Sequence, residues 1–119
     1  MSYIIYHNPR CQKSRQTLKL LQNHKIEPKV IEYLKSPFTS TQLQDVLSKL
    51  KLKPSQLIRR KEDLVKKLKL DLENEKQILT AMIEHPELIE RPIVILGDKG
   101  VLGRPPENVC ALFKQQSRG

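Results

Sequence analysis

The sequence predicts an α/β fold: a β-α-β part, a helical insertion over about 39–86, and a closing β-β-α part. Three observations predict it. "YIIY" at Tyr3–Tyr6 is a β-branched and aromatic run that gives way to helical spacing within a few residues. "RPIVIL", Arg91 to Leu96, is the strongest strand signal in the chain and runs straight into a Gly-containing turn. From Thr39 to about Ile83 the apolar residues recur at helical intervals.

The elements follow in order. Tyr3–Tyr6 reads as a buried strand, broken by Asn8-Pro9. From about Cys11 to His24 a helix is predicted, with Ser14, Leu18 and Leu21 on one face. "PKVIEYL", Pro28 to Leu34, alternates and reads as a second strand, closed by Ser36-Pro37. Thr39 or Ser40 can cap a helix whose face carries Leu43, Val46, Leu47 and Leu50. Pro54 starts a short helix with Leu57 and Ile58. Two further helical segments show Leu64, Val65 and Leu68, then Ile78, Leu79, Met82 and Ile83. Gly97-Asp98-Lys99-Gly100 is read as a hairpin turn before a return strand at Val101-Leu102. Pro105-Pro106 suits the first turn of a last helix through about Lys114.

At 119 residues the chain is expected to form one domain with one core. Two cysteines are too few for a disulfide framework and point to a reducing compartment, the cytoplasm. No signal peptide is expected from "MSYIIYHNPR", and no apolar run is long enough for a membrane span. Of the net charge of +9, much sits between Lys49 and Lys69, where nine Lys and Arg face two acids, Glu62 and Asp63. Such a block suits an acidic partner, a small oxyanion or a solvated helical face. Nucleic acid is not the expected partner, because five aromatics and no Trp leave few stacking platforms. The three histidines show no ligand spacing with either cysteine, so no metal site is expected.

The chemistry centres on Cys11. A cysteine at a helix N-terminus meets free N–H groups and the positive end of the dipole, and both favour the thiolate. His7 lies four residues upstream, and Arg10 and Arg15 flank the thiol. A dithiol mechanism would need Cys-x-x-Cys, but the fourth residue of "CQKS" is Ser14. Cys110, in "PENVCALF", reads as a residue of a buried helix face. A phosphatase-type anion loop would need Arg six positions after the cysteine, where Thr17 stands. Attack on an oxyanion remains, with cations supplied from elsewhere and an external thiol resolving the adduct. Arg59 in "LIRRK", Arg91 in "ERPIV" and Arg104 in "GRPP" are the candidate cations, since a guanidinium fork matches a tetrahedral oxyanion.

"YHNPRCQKSRQTL", "LIRRK", "HPELIERPIVI" and "GRPPENV", in this order, make the chain similar to the glutaredoxin-linked arsenate reductases of the ArsC type, and most to their shorter ArsC-like branch. The similarity runs from about Ile4 to Leu112. It implies a single thioredoxin-like domain over 1–119 carrying the helical insertion. It implies Cys11 as the catalytic thiol with His7 supporting its thiolate, and Arg59, Arg91 and Arg104 as oxyanion ligands. Ser14 and Arg15 fall on motif positions near the thiol, and the Arg91–Pro92 bond is expected to be cis. Gln12 and Lys13 stand where the best-matching reductases have the small residues of "CGTS". The implied substrate is arsenate, with phosphate or sulfate able to occupy the site. Glutathione would be the co-substrate, glutaredoxin the protein partner, and no tightly bound cofactor is implied. A monomer is the default expectation. Spx-like polymerase-binding regulators share the fold, but they carry Cys-x-x-Cys and lack the full arginine set. A thiol oxidoreductase of the same fold with another substrate is the remaining alternative.

Overall fold

The computed structural model describes residues 2–116, with side chains through residue 113. In chain order the elements are β1 (Tyr3–Tyr6), α1 (Gln12–Asn23), β2 (Lys29–Ile31), α2 (Ser40–Leu50), α3 (Pro54–Leu57), α4 (Asp63–Lys67), α5 (Glu75–Glu84), a 3-10 turn (Pro86–Leu88), β3 (Ile93–Leu96), β4 (Lys99–Leu102), a second 3-10 turn (Pro106–Val109) and α6 (Cys110–Gln116). The chain divides into two compact units, residues 1–36 with 91–119, and residues 37–90.

The first unit is built on one four-stranded sheet in the order β2-β1-β3-β4. β1 runs parallel to β2 and antiparallel to β3, and β3 pairs antiparallel with β4. The parallel pair is joined through α1, as a crossover requires. All four residues of β3 are buried, which is why "IVIL" reads as an unbroken apolar run rather than an alternating one. Tyr3, Ile5, Leu21, Val94, Leu96, Val109 and Leu112 form the core of this unit. They come from β1, α1, β3 and the C-terminal helical segment, so residues some hundred positions apart bury one surface.

β2 is shorter than the sequence predicts. It ends at Ile31, and Glu32 O accepts the N–H groups of both Lys35 (2.9 Å) and Ser36 (3.0 Å), turning the chain out of the sheet. As an edge strand it pairs with β1 alone, so Val30 and Leu34 stay exposed while Tyr33 is buried. The hairpin is tighter than expected: Lys99 and Gly100 already pair with Leu96 and Ile95, leaving Gly97-Asp98 as the turn. Gly97 adopts φ 64°, a backbone conformation that favours glycine. The last helix begins as a 3-10 turn, and its Cys110 is half-buried rather than fully buried. Arg91–Pro92 is cis, as the resemblance implies, and so is Arg104–Pro105.

The second unit, residues 37–90, is helical. Thr39 caps α2 through a reciprocal pair: its Oγ1 accepts from Gln42 N–H and its own N–H donates to Gln42 Oε1. α5 packs against α2, α3 and the first 3-10 turn, burying Leu43, Leu57, Ile78, Met82 and Leu88. Glu75, in the first turn of α5, accepts from Ser55 N–H and Oγ–H, both at 2.8 Å, tying α3 to α5. Among the described residues no helix is long and apolar enough to cross a membrane.

Candidate active site

Asn8-Pro9 ends β1 and turns the chain into α1, and Cys11 N–H closes that turn on Asn8 O at 3.0 Å. Cys11 is the N-cap residue of α1, with extended backbone, and is only 9% exposed. Its carbonyl accepts the first helical hydrogen bond, from Arg15 N–H at 3.0 Å. As a neutral thiol it makes no capping hydrogen bond. Burial pushes the thiol pKa up, but the Ser14 N–H, the Arg91 guanidinium and the Lys13 N–H together outweigh it, and the net shift is downward from 9.0. These donors are the free N–H groups that any helix start presents, aided by one half-buried cation.

Ser14 is fully buried beneath the thiol's turn. Its Oγ accepts from Asn8 N–H at 3.0 Å and pairs with His7 Nδ1 at 2.6 Å. His7, at the end of β1, is buried, and burial lowers its pKa below 6.5; Glu32 opposes the shift and Arg15 adds to it. Burial therefore favours the neutral imidazole. The charge that favours the thiolate comes from Arg91, and His7 reaches the thiol's surroundings through Ser14.

The Arg91 guanidinium favours the thiolate form of the sulfur, while its Nε and Nη1 are buried and make no hydrogen bond. Buried donors left without a partner are costly, by about 1–3 kcal/mol each, and rare enough to need a reason. A tetrahedral oxyanion beside the sulfur would satisfy both. Arg104 Nη1 donates to Arg91 O at 3.3 Å, so the exposed Arg104 lies beside Arg91. Asn108 Nδ2 in turn donates to Arg104 O at 3.1 Å. Arg15 is exposed and donates to Pro9 O at 2.9 Å, bracing the turn before the thiol.

Thus Cys11, His7, Ser14, Arg15, Arg91 and Arg104 belong to one unit and are linked by the contacts above. Arg59 belongs to the other unit, 37–90. There a short bridge pairs Ile58 with Ile89, and Arg59 N–H donates to Leu88 O at 2.7 Å. This places the Arg59 guanidinium 3.4 Å from Glu62 and 3.6 Å from Glu90, whereas its exposed neighbour Arg60 donates to Ser55 O. Beside the thiol site, the packing of two residues escaped the sequence reading. Gly103 packs against Thr17, and the only sequence signal was a glycine placed just before Arg104 and Pro105. Among the described residues no group of three or more His, Cys, Asp or Glu side chains could hold a metal ion.

The chain is similar to known proteins over nearly its whole length. An arsenate reductase of Haemophilus influenzae is 48% identical over 116 residues, covering 95% of this chain and all of that protein. An uncharacterised Escherichia coli protein is 46% identical over 111 residues, covering 91% and 93% of the two chains. The solved structure of an arsenate reductase from Vibrio cholerae superposes with a TM-score of 0.89 at 45% identity, covering 93% and 97%. The fold is thioredoxin-like, with the mixed sheet and flanking helices described above. The ArsC family profile matches residues 6–112, which takes in the N-cap cysteine, all three arginines and the whole helical stretch between them, and the chain belongs to that family.

Proposed function

We propose that this protein is an oxidoreductase that reduces arsenate at Cys11. The observation that carries the reading is Arg91: its guanidinium favours the Cys11 thiolate and keeps two buried nitrogens without partners. The arsenate reductases of H. influenzae and V. cholerae, similar over nearly the full chain, support the substrate.

The Cys11 thiolate attacks the arsenic of arsenate. An S–As bond forms, an As–OH bond breaks, and the hydroxyl takes a proton from solvent and leaves as water. Arg91 and Arg104 hold and neutralise the remaining oxygens, and Ser14 and Arg15 shape the turn that presents the sulfur. A glutathione thiolate then attacks the Cys11 sulfur. The S–As electron pair returns to arsenic, which leaves as As(III) in arsenite, and Cys11 is left as a mixed disulfide. A glutaredoxin thiolate takes the glutathione from that disulfide and restores Cys11. The missing second cysteine at position 14 fits a site whose resolving thiol arrives from solution, and the cycle implies a reducing, cytoplasmic setting.

The test is arsenate-dependent NADPH consumption with glutathione, glutaredoxin and glutathione reductase. Wild type is expected to turn over. Cys11→Ser is expected to lose all activity, Arg91→Ala at least about a hundredfold in kcat/KM by loss of preorganised charge, and Cys110→Ser little. Wild type inactive with arsenate would overturn the substrate, and loss of activity in Cys110→Ser would replace the external thiol with an internal disulfide relay.

A further inference from the structure

The arginine-bearing segments and the cysteine-bearing helix meet at one crowded contact. Gly103 N–H donates to Pro92 O at 2.9 Å, extending the β3–β4 ladder by one rung, and Arg104 Nη1 reaches Arg91 O. Arg91–Pro92 and Gly103–Arg104 therefore move together. What faces them is Thr17, fully buried on the same helical face as Ser14 and Leu21.

A Cβ on Gly103 would stand 2.7 Å from Thr17 Oγ1, 3.0 Å from Thr17 Cγ2 and 2.8 Å from Pro92 Cγ. Its φ is not in the left-handed region, so glycine is needed here for space and not for conformation. Thr17 cannot easily yield. It is β-branched, and its hydroxyl donates to Lys13 O at 2.8 Å, with Gly103 O a second acceptor 3.4 Å from Thr17 Oγ1.

We propose that Thr17 and Gly103 are a positioning pair for the proposed reaction: their contact sets how close Arg91 and Arg104 come to the N-terminus of α1 and hence to Cys11. The role rests on the oxyanion-reducing reading only for its purpose; the distance it sets is a property of the thiol site whatever the substrate. One added methyl forces the segments apart by several tenths of an ångström, and misplacements of about 1 Å near reacting atoms cost on the order of a hundredfold in rate. Neither residue touches the substrate in this scheme; both act through Arg91.

The test compares wild type, Gly103→Ala and the double variant Thr17→Ala/Gly103→Ala. Each is checked for folding by circular dichroism and thermal melting. The readout is the pH profile of Cys11 alkylation by iodoacetamide in a Cys110→Ser background, with and without arsenate or sulfate as protecting anion. Gly103→Ala is expected to fold, to move the alkylation midpoint to higher pH so that the rate at pH 6 falls about tenfold, and to weaken anion protection about tenfold. The double variant is expected to recover much of both, because the opposing side chain has been cut back. If Gly103→Ala does not fold, Thr17→Ile crowds the same contact from the helix side and is expected to shift the profile in the same direction. A folded variant with the wild-type profile, or a double variant no better than the single one, overturns the proposal. Because alkylation needs no arsenate turnover, failure of wild type in the reductase assay leaves this comparison intact.

Discussion

Ser14 bears more than a seryl hydroxyl usually does. Accepting from Asn8 N–H leaves its proton for His7 Nδ1, and this assignment, with the His7 proton on Nε2, satisfies all three groups without a net charge. Ser14→Ala would leave the half-buried Asn8 N–H and the buried His7 Nδ1 without their shared partner. It is expected to cost about 1–3 kcal/mol of stability, measured by urea denaturation, and a cost under about 0.5 kcal/mol would show the network to be slack. The same network has a pH signature. His7's folded pKa lies below its ordinary value of 6.5, so between the two values the unfolded chain binds more protons than the folded one. Stability is then full above about pH 6.5 and declines as pH falls towards the folded pKa. Melting temperatures from pH 7.5 to 5 are expected to drop more steeply for wild type than for His7→Gln; equal slopes would assign the decline to other groups.

At the scale of elements, three helices end in the same way without glycine. After α1, α2 and α4 come Lys25, Lys51 and Lys69, with φ of 62°, 58° and 51°. In each case the next residue donates its N–H back five positions: Ile26 to Leu21 O, Leu52 to Leu47 O, Leu70 to Val65 O. These are Schellman closures, with an apolar residue following the left-handed one. Lysine there complements the negative end of the helix dipole but carries a Cβ where glycine has none. Lys25→Gly, Lys51→Gly and Lys69→Gly are each expected to raise stability by roughly 0.5 kcal/mol, the relief of the left-handed strain less the added unfolded-state entropy of glycine. Thermal melts showing each variant less stable than wild type would mean that the lysine side chains hold the helix ends. In the sequence the end of α1 was legible at about His24, whereas the two "LKL" ends were hard to see because they lack the glycine or asparagine that usually marks them. The helices themselves were legible from periodicity, and so was the cap at Thr39.

For the whole molecule, the +9 charge acts as a field rather than as individual contacts. Lysines and arginines of the 49–69 stretch outnumber its acids, and Arg59 among them already shares Glu62 and Glu90. A positive protein draws oxyanions by long-range attraction that salt screens, the Debye length shrinking from about 30 Å at 0.01 M to about 8 Å at 0.15 M. The rate of Cys11 protection by arsenate, or kcat/KM in the reductase assay, is therefore expected to fall several-fold over that range of NaCl. No change would restrict the charge to solubility and leave the arginines near Cys11 to capture the anion alone.

Sequence by itself determined what short-range physics controls. The buried runs at Tyr3–Tyr6 and Ile93–Leu96, the helical spacing of residues 39–86, the reactive placement of Cys11 at a helix start and the three arginines of interest could all be read from composition, periodicity and motif. Tertiary structure alone decided the length of β2, because an edge strand survives only where a partner pairs with it. It alone decided that His7 is buried and bonded to Ser14, where burial favours the neutral imidazole. It alone left Arg91 with buried nitrogens that lack partners and put Gly103 against Thr17, eighty-six residues away. Those distances come from packing between distant parts of the chain, and no local pattern of residues encodes them.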